Sequence, residues 1–186
     1  MPLRVIAGSA KGRRLRMVPG EVTRPIRDQV KEALFNILGA AVLDSEFLDL
    51  FAGTGSVGIE ALSRGAVQAT FVEKHPAALK AIRENLELTK FMDQAQIIQL
   101  DVFEWIKRQT GRSYDFVYVA PPQNSKLWSK ALLKLDEYAE LMNLDAWVIA
   151  QINPNEYRPL ELESLVEFDQ RSYGRTQLVF YERPGE

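Results

Sequence analysis

Residues 49 to 58 read Asp-Leu-Phe-Ala-Gly-Thr-Gly-Ser-Val-Gly, so Gly53, Gly55 and Gly58 satisfy G-x-G-x-x-G. Glycines at this spacing allow a tight turn, close approach of the backbone to a ligand, and close helix–strand packing. The pattern alone is weak evidence. Glu73, twenty residues beyond Gly53, stands where a carboxylate can receive two ribose hydroxyls, and the two features together point to a nucleoside site. The charges nearby are negative: Asp49, Glu73 and Asp101, with no Lys or Arg between Phe47 and Ser63. Coulomb repulsion makes such a crevice poor for a diphosphate and favourable for a cationic ligand. S-adenosylmethionine meets that description, with a sulfonium, an ammonium, a ribose diol and no phosphate.

These residues need a frame that brings them together. Strands are expected at 46–50, 68–72, 96–100, 114–119 and 146–152, with helices at about 56–64, 76–89, 102–109 and 126–140. Repeated β-α units predict a mostly parallel sheet covered on both faces, whose carboxyl edge collects Asp49, Glu73 and Asp101. Asp101 also suits the N-cap of the helix that follows it. Two β-prone runs at 165–172 and 176–181, joined by Tyr173-Gly174, leave no room for a helix, so the last strand runs antiparallel. His75 reads as a helix-start residue, Trp128 and Tyr118 as core packing, and Glu156 to Glu167 as a solvated surface. At the front, 3–7 and 14–18 suit a small basic hairpin or loop. Thr23-Arg24-Pro25 marks a helix start, Val30, Leu34, Ile37 and Leu38 form one apolar face, and Gly39 ends it.

The 186 residues, 46% hydrophobic and 26% charged, predict one globular domain with a small appendage. With no cysteine and one histidine, disulfide frameworks, thiolate metal sites and cysteine nucleophiles are excluded, and no metal-ligand constellation is present. No apolar run is long enough to span a membrane, and the start lacks an apolar signal region, so the expectation is a cytoplasmic protein and, by default, a monomer. The net charge of −2 conceals an asymmetry: residues 1 to 31 hold eight basic and two acidic residues, a local +6, and the remainder sums to −8. That basic arm suits a polyanion, with Arg4, Lys11, Arg13, Arg14, Arg24 and Arg27 as the phosphate contacts.

Asp49 to Gly55, the acid at Glu73, Asp101 and a double proline after the fourth strand resemble a class I methyltransferase. The likeness extends through Arg4-Val5-Ile6-Ala7-Gly8, Gly12-Arg13-Arg14-Leu15, Thr23-Arg24-Pro25 and Val30-Lys31-Glu32-Ala33-Leu34-Phe35-Asn36. Together these resemble the bacterial small-subunit (16S) ribosomal RNA guanine-N2 methyltransferases of the RsmD type, over nearly the whole chain. The resemblance implies a Rossmann-like α/β fold, a mostly parallel seven-stranded sheet with an antiparallel last strand and a small basic N-terminal extension. It divides the chain into a hairpin and helix at 1–39 and a methyltransferase domain at 40–186. It implies S-adenosylmethionine as methyl donor, a guanine exocyclic amine as acceptor, and ribosomal RNA or an assembling small subunit as partner. By that likeness the Gly53 loop, with Asp49, Phe51, Thr54 and Gly55, holds the methionine part, Glu73 the ribose, and Asp101 with Val102 the adenine, and Lys74 is a further cofactor contact.

One departure stands out. The family's pattern after the fourth strand is Asp-Pro-Pro-Tyr or Asp-Pro-Pro-Phe, whereas this chain has Ala120-Pro121-Pro122-Gln123. In the family reading, the acid and a backbone carbonyl accept the amine hydrogens and the aromatic stacks on a flipped base. With Ala120 the side-chain acceptor is gone. Two prolines in succession lack amide donors, so the carbonyls of Ala120 and Pro121 have no local competitor, and Gln123 offers a planar amide to the base. Loss of one preorganised acceptor costs on the order of a hundredfold in rate. Three readings stay open: activity with a carbonyl-only clamp, an acceptor drawn from elsewhere, or a catalytically impaired RNA-binding or assembly protein. Methylation of a DNA base or a protein amide is the enzymatic alternative. A nicotinamide oxidoreductase would share the glycines, but the carboxylates and terminal hairpin argue against it.

Overall fold

A computed structural model describes residues 2–20 and 25–185. Seven strands, β1 (Glu46–Leu50), β2 (Gln68–Glu73), β3 (Ala95–Gln99), β4 (Tyr114–Val119), β5 (Met142–Ile152), β6 (Val166–Tyr173) and β7 (Thr176–Glu182), form one sheet in the order β3-β2-β1-β4-β5-β7-β6. The first five pair in parallel, and β7 runs antiparallel to both neighbours, as the short Tyr173–Thr176 connection requires. β1 sits between β2 and β4. The chain winds one way from β1 and resumes on its other side at β4, which creates a topological switch point at their carboxyl ends.

Alternation along the strands sends residues to two cores. One face carries Phe47, Phe71, Phe116, Tyr118, Ile149 and Phe180; the other carries Leu48, Val72, Val117, Val148 and Val179. α4 (Val102–Arg108) and α5 (Leu127–Glu137) cover the second face through Trp105, Ile106, Leu132 and Leu135. α1 (Asp28–Leu38), α2 (Ser56–Ser63) and α3 (Pro76–Thr89) belong to the first. All eight residues of α2 are buried, because the N-terminal segment lies over the side that the sheet leaves uncovered.

That segment differs from its expected form. The two β-prone runs meet in a single antiparallel bridge, Arg4 with Arg14, and α1 begins at Asp28 rather than at Pro25; Thr23 and Arg24 lie outside the described residues. Backbone bonds from Val5 N to Arg13 O, Gly12 N to Val5 O and Leu15 N to Leu3 O also join the two runs, Arg16 bonds to Asn85 of α3, and other polar backbone groups bond to α2. The buried Glu60 carboxylate accepts the amides of Ile6 (2.9 Å) and Ala7 (3.0 Å), and Ser63 Oγ accepts that of Ala10 (3.0 Å). Gly8 has φ +83°, and a Cβ there would lie 1.8 Å from the Ser63 carbonyl oxygen, so only glycine fits. Leu3, Val5, Leu15, Ile26, Val30 and Leu34 join the core of the first sheet face, so residues up to 39 have no separate core. Lys31 does not belong to the charged surface of this arm. It is fully buried, donates to the Arg4 carbonyl (2.6 Å) and lies 3.6 Å from Glu60.

Candidate active site

A cavity of about 1270 Å³ opens at the switch point. The glycine loop forms one wall. β1 delivers Asp49 and then Phe51, which adopts φ +59°, a left-handed backbone uncommon for an aromatic residue. Gly53 (φ +58°) and Gly55 (φ +78°) complete the turn into α2. Gly58 serves packing: a Cβ there would stand 2.4 Å from Phe71 Cε1 on β2. Gly55, expected at the ligand, caps α2 and faces Phe71 and Ile82, whereas Phe51, Gly53 and Thr54 line the cavity.

The carboxylates converge, each with work of its own. Asp49 is buried and accepts the Gly58 amide at 3.1 Å. Burial, with Glu73 adding repulsion, pushes its pKa well above the usual carboxylate range. Glu73 accepts three backbone amides, Gly53 (2.9 Å), Lys74 (2.8 Å) and His75 (2.9 Å), and so ties the loop to the end of β2. A carboxylate has about four acceptor sites, which leaves Glu73 little spare capacity for a diol while these bonds persist. Asp101 caps α4 through Phe103 N (2.9 Å) and still lines the cavity with Val102.

The crevice is less uniformly acidic than its sequence suggests. Lys74 Nζ lies 3.6 Å from Asp101, and Lys107, Lys130 and Lys134 line the same cavity. Lys130 Nζ sits 4.2 Å from the centre of the Phe103 ring. The buried carboxyl groups are those of Asp49 and Glu73, and the cations belong to more exposed positions.

Ala120, Pro121, Pro122 and Gln123 line the same cavity beside the glycine loop, since β4 pairs with β1 and the Ala120 amide donates to the Leu50 carbonyl (3.5 Å). The Pro122 carbonyl accepts Ser125 Oγ, while the carbonyls of Ala120 and Pro121 accept no hydrogen bond from any described residue. Gln123 is exposed at the mouth. Of the expected phosphate contacts, Arg27 lines the cavity; Arg4, Lys11, Arg13 and Arg14 are exposed along the arm beyond its lining, and Arg24 lies outside the described residues. Arg4 also pairs with Asp28 at 2.9 Å.

Several lining residues escaped the sequence reading. Tyr118 is core, as expected, yet it also faces the cavity, with its hydroxyl on Gln151 of β5. Gln151 and the Gly174–Thr176 turn reach the site only because β5 and β7 lie beside β4, which no local pattern reveals.

Residues 3–182 match the protein family described as Conserved hypothetical protein 95. The chain belongs to that family. Among its relatives, Ribosomal RNA small subunit methyltransferase D of Haemophilus influenzae is 39% identical over 137 residues, covering 73% of this chain and 71% of that protein. YlbH of Bacillus subtilis is 34% identical over 187 residues, covering 98% of this chain and all of that protein. The solved structure of yhhF from Escherichia coli superposes on the full length of both chains with a TM-score of 0.87 at 27% identity. The seven-stranded sheet with its reversed β7 is the class I methyltransferase fold of this Conserved hypothetical protein 95 family member.

Proposed function

We propose that the chain transfers the methyl group of S-adenosylmethionine to the exocyclic N2 amine of a guanine in small-subunit ribosomal RNA. One observation carries this reading: the acid-backed glycine loop and the Ala-Pro-Pro-Gln loop line one cavity at the switch point. The ribosomal substrate is supported by the relative named for small-subunit RNA methylation and by the basic arm. The donor set fits the cofactor. Asp49 and Glu73 offer negative charge to a cation, Asp101 and Val102 line the same cavity, where the adenine would lie, and no Lys or Arg stands between Phe47 and Ser63 around the loop. Bound, the cofactor supplies an electrophilic methyl group on a sulfonium.

The chain's own residues supply position and polarity. Ionised Asp49 favours the cationic end of the cofactor, while the Glu73 bonds hold the glycine loop in one conformation before ligand arrives. The free carbonyls of Ala120 and Pro121 accept amine hydrogens and aim the nitrogen lone pair across the cavity. That lone pair forms the new N–C bond, the C–S bond breaks with its electrons remaining on sulfur, and the amine proton passes to water. Exposed Arg13, Arg14 and Lys11 contact phosphates, with Arg27 at the mouth.

The test is transfer of labelled methyl to small-subunit ribosomal RNA and to partly assembled subunits, followed by mass mapping of the modified nucleotide. DNA and protein extracts run in parallel. Label on guanine N2 is expected. Label on DNA or protein only, or no label with cofactor binding intact, overturns the proposal.

A further inference from the structure

Ala120 leaves the amine without the side-chain acceptor that the family pattern places there, and the structure holds a candidate replacement one strand away. β4 and β5 pair in parallel, with Tyr118 opposite Ile149 and Val119 opposite Ala150. One step further along both strands brings Ala120 beside Gln151. Register partners in a parallel sheet project to the same face, and Tyr118, Ile149 and Ala120 all pack against the first core. Gln151 therefore projects next to the methyl group of Ala120. Both residues line the cavity, and Gln151 is half-buried.

Its amide is also oriented. The Tyr118 hydroxyl donates to Gln151 Oε1. Burial, with the nearby Asp49 charge, raises the Tyr118 pKa well above its ordinary value, so the phenol stays protonated and remains the donor. A carbonyl oxygen has two lone pairs, and this bond uses one. Among the described residues, Tyr118 is the sole hydrogen-bond partner of the Gln151 side chain. A small residue at 120 is what gives this longer side chain room: an Asp there would occupy the space and compete for the same hydrogens.

We infer that Gln151 is a catalytic residue whose Oε1, held by Tyr118, accepts one hydrogen of the substrate amine in place of the acid absent at position 120. The inference rests on the methyl-transfer reading above. The carbonyls of Ala120 and Pro121 take the second hydrogen, and the amine lone pair then points across the cavity. The amide stays neutral throughout; it orients the nitrogen, and the proton released on N–C bond formation goes to water.

The test compares wild type, Gln151→Ala, Ala120→Asp and the double variant, by steady-state kinetics on the RNA that wild type labels. Gln151→Ala is expected to lower kcat about a hundredfold, as for loss of one preorganised hydrogen-bonding group, with KM for RNA within about threefold. Ala120→Asp in that background is expected to restore at least tenfold, because the carboxylate returns an acceptor to the same place. A second readout needs no turnover. The side-chain NH2 resonances of wild-type Gln151, assigned by their absence in Gln151→Glu, should shift on adding guanosine monophosphate with S-adenosylhomocysteine, and should stay in place with uridine monophosphate, which has no exocyclic amine. Wild-type kcat in Gln151→Ala overturns the inference, as do resonances indifferent to the guanine nucleotide. A double variant as inactive as Gln151→Ala also overturns it. Should wild type label no RNA at all, the methyl-transfer reading fails, and this role for Gln151 falls with it.

Discussion

Glu60→Gln tests how the basic arm is held. The Glu60 side chain is fully buried, and each of its oxygens serves two donors: Oε1 accepts Ala7 N (3.0 Å) and Arg64 Nε (2.9 Å), while Oε2 accepts Ile6 N (2.9 Å) and lies 3.6 Å from Lys31 Nζ. Glutamine preserves the shape but turns one acceptor into an NH2 donor, so one of these donor pairs must face another donor. Leaving a buried amide unsatisfied costs about 1–3 kcal/mol. Removing one partner of a buried ion pair costs about 3–5 kcal/mol. The two penalties overlap, and Lys31 can relieve its own: burial already lowers its pKa, with Glu60 opposing that shift, so losing Glu60 favours the neutral amine. The expected loss is therefore near the lower bound, about 3 kcal/mol, a large share of the 5–15 kcal/mol typical of a domain. Urea denaturation at neutral pH measures it, and hydrogen exchange at the Ile6, Ala7 and Ala10 amides should accelerate more than in the sheet. Lys31→Met combined with Glu60→Gln should be less damaging than the sum of the single changes, since no unpaired buried ammonium remains. A loss below about 1 kcal/mol, or unchanged protection of those amides, would refute the claim that Glu60 anchors the arm.

Asp49 makes cofactor affinity depend on pH. Its pKa in the free protein is raised well above 3.8, and a cation beside it favours the ionised form, so binding releases a proton at pH values between the pKa of the complex and that raised value. Affinity for S-adenosylmethionine by calorimetry should then rise with pH, at most tenfold per unit, and level off above the raised pKa; Asp49→Asn should flatten the curve, and a flat wild-type curve would contradict the assignment. Gly58→Ala sets helix propensity, a gain of about 1 kcal/mol, against a Cβ 2.4 Å from Phe71 Cε1. Overpacking of this kind costs about 1–3 kcal/mol, so a net loss of up to about 2 kcal/mol is expected in thermal or urea unfolding, relieved by Phe71→Leu, whereas a stabilised variant would show that the contact is easily accommodated.

Much of this molecule is written locally. The four β-α repeats, the turn at Gly53 and Gly55, the terminal hairpin and the carboxylates at the strand ends follow from patterns that span at most a few residues or one β-α unit, and the structure reproduces their order. Asp101 carries both of its sequence readings at once, as helix cap and as cavity wall. The N-terminal arm was less legible. Its β-prone runs form a single bridge, and the amides of Ile6 and Ala7 in the first run are satisfied by Glu60 on a helix more than fifty residues away. Lys31 counted as surface charge in composition and proves to be core, since only the packed structure brings Glu60 to it. Lys74 offsets Asp101 although neither belongs to the other's local pattern. At the candidate active site the sequence identified the loss at Ala120 and offered only the loop's own carbonyls and Gln123 in its place. What sets Gln151 beside Ala120 is the strand order β4-β5 and its register, a pairing between residues thirty-one apart. Periodicity determines which face a residue takes within its own element; which elements become neighbours depends on burying all their apolar faces together, and that was decided by the tertiary structure alone.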